Sequence, residues 1–271
     1  GAALPNVKGT SNVQTWGNAQ SANNIPARFG NRCMYFVDNG VDHLSTPLDI
    51  NNCMERCSFT IEGFVKFEQI YRLAVGNTGT PDHRAAINTS GQQNLGIFHI
   101  INRGDSFNNT TNGLGLKLNI TTSFQLTYNT NGSSISENAA GQPELLAGNT
   151  AGHTYNTIQA ESDFGPLEDR PGYHRRDYSD TRAPWYHFAV CRDATLSSDN
   201  LVLFWNGQKK LFVTDTSNYD ITHPYLKIGC HGTLGHTMPG WMDNFRITKG
   251  ICRYDVTQDT ITVPTEDFPE F

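Results

Sequence analysis

Phe59-Thr-Ile-Glu-Gly-Phe-Val-Lys-Phe67 is the most informative stretch of this chain for its fold, because its apolar side chains recur mainly at every second position. Successive side chains of an extended strand point to opposite faces. Phe59, Ile61, Val65 and Phe67 therefore share one face. This alternation predicts a strand that rests one face on a hydrophobic core.

The same alternation dominates the rest of the chain, and no long stretch has helical period. It is found in Leu114 to Ile120, Phe124 to Tyr128 and Tyr186 to Val190. Tyr225 to Cys230 and Trp241 to Thr248 predict two more strands. Many short strands joined by glycine- and asparagine-rich turns are typical of a sandwich of two antiparallel sheets.

A hairpin is predicted where Leu201 to Trp205 and Gln208 to Val213 flank the pair Asn206-Gly207. Asn-Gly readily takes the positive φ angles that a tight two-residue turn requires.

Two stretches depart from the strand pattern. Residues 1–27 are polar and turn-rich, and we interpret them as an entry segment before a single domain at 28–271. Residues at about 136–182 show little alternation and read as an insertion at the rim of the sandwich. A loop of this length is either functional or an ordered packing loop.

Composition excludes some classes of function. The 271 residues carry a net charge of −6, so no basic face for nucleic acid is expected. No apolar run approaches the roughly 18 residues that span a bilayer, so no membrane insertion is expected. The six cysteines lie mostly in apolar, strand-like runs, which favours free thiols over disulfides. Because the chain begins at Gly1 without methionine, we expect a processed product or a piece of a longer polypeptide.

The final third of the chain carries a resemblance to a known family. Trp185 to Val190, the Asn206-Gly207 hairpin and Tyr225 to Gly229 are followed by Gly240-Trp-Met-Asp-Asn-Phe-Arg-Ile-Thr-Lys-Gly-Ile-Cys-Arg-Tyr254. This order resembles the concanavalin A-like (laminin-G-like) domains of bacteriophage virion proteins. The similarity is greatest in Asp243 to Gly250 with Arg253-Tyr254, hereafter the signature.

The resemblance extends upstream to Arg28-Phe-Gly30 and Tyr35-Phe36, and it implies a two-sheet jelly roll on the virion surface. The parent protein would be a tail fibre, a spike or a capsid-decorating protein, acting in host-surface or glycan recognition or in particle architecture. Its partners would be other virion proteins or copies of itself. A homotrimer is the expected assembly for a fibre, because such fibres are often trimeric. The alternative is a secreted, extracellular carbohydrate-active enzyme or lectin of the same sandwich.

We expect no enzymatic activity, because glycoside hydrolysis needs two carboxylates flanking the scissile bond. Glu62 stands alone in its strand and is interpreted as solvated or paired across the sheet. The carboxylates of the insertion, Glu161, Asp163, Glu168 and Asp169, fit a solvated acidic loop. The chain has no Gly-x-Ser-x-Gly elbow.

Calcium is the cofactor that the resemblance implies, because many domains of this fold bind one calcium ion through aspartate and carbonyl oxygens. Such hard oxygen ligands suit that ion. The candidate ligands are Asp38 and Asp42, in one turn, and Asp243, at the position of the family's recurrent aspartate. The alternative, which residue chemistry favours, is that Asp38 closes an Asx turn and Asp243 caps backbone amides.

A glycan site is the second hypothesis for ligand binding. Sugar sites combine aromatic stacking with hydrogen bonds from planar polar groups. The insertion concentrates such side chains, namely Tyr155, Tyr173, His174, Arg175, Arg176 and Tyr178. The same aromatic and arginine residues also suit a protein interface or simple anchoring of the loop.

Overall fold

The computed structural model describes residues 13–23, 27–36, 42–47, 57–67, 94–102, 114–119, 123–128, 134–137, 143–146, 156–157, 185–215, 224–230, 237–238 and 240–269. Every regular element in these ranges is a strand. The described part of the chain contains no helix that is long and apolar enough to cross a membrane.

The strands are, in chain order, β1 (Gln14–Trp16), β2 (Gln20–Ala22), β3 (Cys33–Phe36), β4 (His43–Pro47), β5 (Phe59–Phe67), β6 (Asn94–Asn102), β7 (Leu114–Asn119), β8 (Ser123–Tyr128), β9 (Ser134–Glu137), β10 (Pro143–Leu146), β11 (Asn156–Thr157), β12 (Tyr186–Arg192), β13 (Leu201–Trp205), β14 (Gln208–Val213), β15 (Pro224–Ile228) and β16 (Gly240–Lys249).

Two antiparallel sheets of seven strands each form the sandwich. The first sheet has the order β1-β4-β15-β6-β7-β8-β11, and the second has the order β14-β13-β12-β5-β16-β3-β2. A separate ribbon pairs β9 with β10. The predicted all-β, two-sheet antiparallel sandwich is confirmed.

The core lies between the two sheets. Phe59, Ile61 and Val65 of β5 bury their side chains in one cluster with Phe98 and Leu116 of the first sheet. Each side chain of this size contributes roughly 1.5–3 kcal/mol when it leaves water. The alternation in residues 59–65 therefore fixes which face of β5 points inward, as predicted.

The second sheet is covered on its outer face as well. Ala189 and Cys191 of β12 join Val202 and Phe204 of β13 in a second apolar cluster, which Val256 closes. Residues 250–269, hereafter the C-terminal segment, supply this cover. The prediction that β5 and β12 bury only one face was therefore wrong, because residues 59–66 of β5 and all seven residues of β12 are buried.

The predicted hairpin is confirmed, with Asn206 at φ 50° and Gly207 at φ 80°. The carbonyl of Gly207 accepts a hydrogen bond of 2.7 Å from Ile261 N–H. The turn thus also anchors the C-terminal segment.

Both stretches that depart from the strand pattern contribute strands. From the predicted entry segment, β1 pairs with β4 and β2 pairs with β3, each at the edge of a sheet. From the predicted insertion, β10 pairs with β9, and β11 pairs with β8. Most of the insertion lies outside the described residues.

Candidate functional site: an aromatic platform at a sheet edge

An exposed tryptophan lies on the edge strand of the first sheet. Trp16 closes β1 and leaves 49% of its surface open to solvent. Gln14 is also exposed and shares its face of the strand, because the two residues are two positions apart. The exposed surface of this edge therefore combines a large aromatic ring with a planar amide.

Two side chains of β4 hold the Trp16 ring in place. Trp16 lies opposite His43 in the sheet register, and the two rings stack with centroids 5.6 Å apart and an interplanar angle of 4°. The indole Nε1 donates a hydrogen bond of 2.6 Å to Ser45 Oγ. His43 and Ser45 are buried, so the ring rests on packed support. We name Gln14, Trp16, His43 and Ser45 the Trp16 platform.

The turn after Trp16 requires the residues found there. Gly17 has φ 65°, a left-handed conformation that glycine adopts without strain. A Cβ at this position would overlap Oδ1 of Asp42. That same oxygen accepts a hydrogen bond of 2.8 Å from Asn18 N–H. The buried Asp42 carboxylate therefore fixes the turn and, through it, the end of β1.

A polar row continues from the platform across the outer face of the first sheet. Ser45 lies opposite Lys227, which lies opposite His99 on its other side. All three side chains are buried, and burial lowers the pKa of Lys227. Among the described side chains of the platform and this row, the exposed ones are therefore Gln14 and Trp16 at the sheet edge.

Glu62 is fully buried on the outer face of the second sheet. Its Oε1 accepts hydrogen bonds from Arg246 Nε at 3.0 Å and Nη2 at 2.6 Å. Its Oε2 accepts one from Tyr254 Oη at 2.7 Å and lies 3.4 Å from His187 Nε2. Burial alone raises the pKa of Glu62, but the bonds from His187, Tyr254 and Arg246 outweigh it and lower that pKa.

Glu62 was predicted to be either solvated or paired across the sheet, and the structure shows the second. Arg246 pairs with Glu62 across the sheet register, as expected for a cross-strand partner. A solvated Glu62 was the wrong alternative, because the C-terminal segment covers this face and Tyr254 closes over the carboxylate.

A β-bulge explains the spacing of the signature. The register between β16 and β5 shifts between Asp243 and Arg246, and Asn244 has φ 49°. Residues three apart in a regular strand face opposite sides, but the extra bulge residue restores both to one face. Asp243 lies opposite Phe64 and Arg246 lies opposite Glu62, whereas Phe245 between them packs on the core.

The polar side chains of the signature join both ends of the domain to the second sheet. Asp243 Oδ2 accepts a hydrogen bond of 3.0 Å from Phe29 N–H. Asn244 donates one of 2.8 Å to Asp267 and accepts one of 3.3 Å from Phe268 N–H. The residues that resemble the phage family therefore fasten the outer cover of this sheet.

The candidate calcium ligands in the described part of the chain are Asp42 and Asp243, and both accept backbone N–H groups. Burial raises the pKa of Asp243, although bonds from Phe29 and Asn244 oppose it. The described residues contain no group of three or more histidine, cysteine, aspartate or glutamate side chains arranged for a metal. Asp38 lies outside the described residues, and calcium binding stays a prediction.

The predicted glycan-binding residues also lie outside the described residues. These are Tyr155, Tyr173, His174, Arg175, Arg176 and Tyr178. Sequence reasoning missed Trp16, because β1 has three residues and shows no readable alternation. The available signal was a tryptophan two positions after a glutamine and directly before Gly17-Asn18.

Comparison with known proteins shows the fold. No protein-family model and no curated protein matches this chain. Among solved structures it is similar to the binding domain of Paraclostridial Mosquitocidal Protein 1, with a TM-score of 0.51 and 11% identity over 91% of this chain and 45% of that one.

Two further structures match at lower TM-scores. The botulinum neurotoxin serotype G binding domain gives 0.46 and 10% identity, over 91% of this chain and 44% of that one. The enzymatically active domain of bacteriophage CBA120 tailspike protein 2 gives 0.45 and 11% identity, over 92% and 30%. This chain spans less than half of each of the three.

Proposed function

We propose that this chain is a non-enzymatic carbohydrate-binding domain of a bacteriophage virion surface protein, and that it takes a sugar ring at the Trp16 platform. The observation that carries this proposal is the half-exposed Trp16 ring, held by His43 stacking and by the Ser45 hydrogen bond.

Sugar chemistry suits this arrangement. A pyranose ring presents apolar C–H groups on its faces and hydroxyl groups around its edge, so it stacks on an aromatic ring and bonds to planar amides. The Gln14 amide lies on the same face of β1 as the Trp16 ring. Because the ring is held before a ligand arrives, little conformational entropy is lost on binding.

The hydrogen bonds of three described carboxylates support a non-enzymatic role. A glycosidase needs one carboxylate free to donate a proton and another free to attack or to activate water. Glu62 accepts bonds from Arg246 and Tyr254 and is sealed from solvent. Asp42 and Asp243 accept backbone N–H groups. Each of these three groups thus has a structural task.

The virion assignment rests on the sequence resemblance of the signature to phage surface domains. A domain at that location meets host glycans first, which makes a bacterial surface polysaccharide the expected ligand class. Particle architecture is the other role that the resemblance implies, and it requires no sugar binding.

A glycan array probed with the full chain tests the proposal. We expect binding to one set of glycans, its loss in Trp16→Ala, and its retention in Thr15→Ala, whose exposed side chain points to the other face of β1. Circular dichroism establishes that both variants are folded. An absence of binding by the wild type, or equal binding by Trp16→Ala, would overturn the proposal.

A further inference from the structure

Hydrogen bonds to Thr60 place Cys252 beside Cys191. Cys191 lies in β12 directly opposite Thr60 of β5. Thr60 Oγ1 donates a hydrogen bond of 3.3 Å to the carbonyl of Ile251 and accepts one of 2.9 Å from Arg253 N–H. The residue between these two contacts is Cys252, so its backbone is held beside the position of Cys191.

The two thiols meet inside an apolar cluster. Cys191 is fully buried there with Ala189, Val202 and Phe204, and Cys252 packs against the same cluster. The Cys191 and Cys252 side chains are close enough to affect each other's pKa, and Cys252 Sγ donates a hydrogen bond of 3.1 Å to the carbonyl of Tyr254. Both are free thiols, as are the other described cysteines, Cys33, Cys57 and Cys230.

The Cys191 and Cys252 thiols differ in solvent exposure and in pKa. Cys252 is partly exposed, whereas Cys191 is not. The interaction with the Cys191 thiol lowers the pKa of Cys252, and burial raises the pKa of Cys191. Because the thiolate is the nucleophile in thiol–disulfide exchange, Cys252 is suited to react first.

We propose that Cys191 and Cys252 form a redox-active thiol pair, which a small-molecule disulfide such as glutathione disulfide oxidises to an internal disulfide. That bond covalently fastens the C-terminal segment to the second sheet.

The chemistry takes two exchange steps. The Cys252 thiolate attacks one sulfur of glutathione disulfide, which forms a mixed disulfide at Cys252 and releases one glutathione thiolate. Cys191 then loses its proton and attacks the Cys252 sulfur, which forms the Cys191–Cys252 bond and releases the second glutathione. Two protein thiols are oxidised, and the disulfide is reduced to two molecules of glutathione.

The consequence is a closed chain between β12 and the C-terminal segment. Closing a long loop removes conformational freedom from the unfolded chain. We expect the oxidised protein to melt about 5 °C or more above the reduced protein.

The test uses the full chain with glutathione disulfide as the probe. After oxidation, the protein is denatured and alkylated, and its intact mass is measured. The reduced chain takes six alkyl groups on its six cysteines. We expect four after oxidation, and a Cys191–Cys252 cross-linked peptide in a non-reducing digest. This map needs no variant, so it does not depend on the folding of a mutant.

Two variants sharpen the result. Cys252→Ser should lose the cross-link and the rise in melting temperature. Cys230→Ser, which removes another buried thiol, should keep both. Glutathione that remains attached to Cys252 without the internal bond, a cross-link between other cysteines, or an unchanged count of six thiols would each overturn the proposal.

Discussion

The guanidinium of Arg246 donates two hydrogen bonds to one oxygen of the Glu62 carboxylate, from Nε at 3.0 Å and from Nη2 at 2.6 Å. The other oxygen accepts the Tyr254 hydroxyl. Arg246 also stacks on Phe268, with its guanidinium carbon 4.0 Å from the ring centroid. Arginine and tyrosine of the signature thus converge on one buried carboxylate, and their common task is to fasten the C-terminal segment.

Glu62→Gln tests the strength of this fastening. The substitution keeps the shape of the side chain but leaves Arg246 without its anionic partner. Breaking a buried pair by removing one charge costs about 3–5 kcal/mol. We expect a loss of this size in the free energy of unfolding, measured by urea denaturation. Glu266→Gln, at an exposed position of the same segment, should change it by less than about 0.5 kcal/mol. Equal effects of the two variants would show that the buried pair contributes nothing.

Acid should weaken the wild type more than the Glu62→Gln variant. Burial raises the pKa of Glu62, but hydrogen bonds from His187, Tyr254 and Arg246 lower it below the ordinary value. A lowered folded pKa stabilises the protein above the unfolded pKa of about 4.3, and that stabilisation is lost as the pH falls through the folded pKa. Urea titrations between pH 6 and pH 3 should therefore give a steeper decline for the wild type. Parallel curves would exclude this role for Glu62.

Tyr254→Phe isolates the second oxygen of the carboxylate. The variant removes the hydroxyl that donates to Glu62 and keeps the ring that packs near Phe204. A hydrogen bond to a charged group contributes roughly 1.5–3 kcal/mol. We expect a loss in this range by urea denaturation. The double variant with Glu62→Gln should be less destabilised than the sum of the single variants, because both act on one cluster; strict additivity would contradict the shared cluster.

Gly17→Ala should lower the melting temperature of the protein more than Gly30→Ala does. Both glycines have nearly equal positive φ angles, 65° and 64°. A Cβ at Gly17 would overlap Asp42 Oδ1, whereas a Cβ at Gly30 meets open space. Backbone strain is therefore matched, and the difference between the two melting temperatures reports the steric clash. We expect Gly17→Ala to melt lower and to bind glycan more weakly. Equal melting temperatures of the two variants would contradict the clash with Asp42.

Eight of the strands, β5, β7, β8 and β12 to β16, could be predicted from the sequence because their signal is local. Alternation in residues 59–67 identifies the inward face of β5, and Asn206-Gly207 marks its own turn. The burial of Glu62 could not be predicted, since its partners lie 184 and 192 positions away along the chain. The Trp16 platform depends on the register of β1 against β4, which the three residues of β1 do not specify. The candidates in the insertion remain predictions, as they lie outside the described residues.

The affinity of Trp16 variants for glycan shows whether the Trp16 platform is the sugar-binding surface. Isothermal titration with the highest-ranking glycan of the array should show at least about a tenfold weaker Kd for Trp16→Ala, which corresponds to about 1.4 kcal/mol. Trp16→Phe should lose less, because a phenyl ring still stacks on a sugar. Wild-type affinity in a folded Trp16→Ala variant would contradict the claim that Trp16 forms the binding surface.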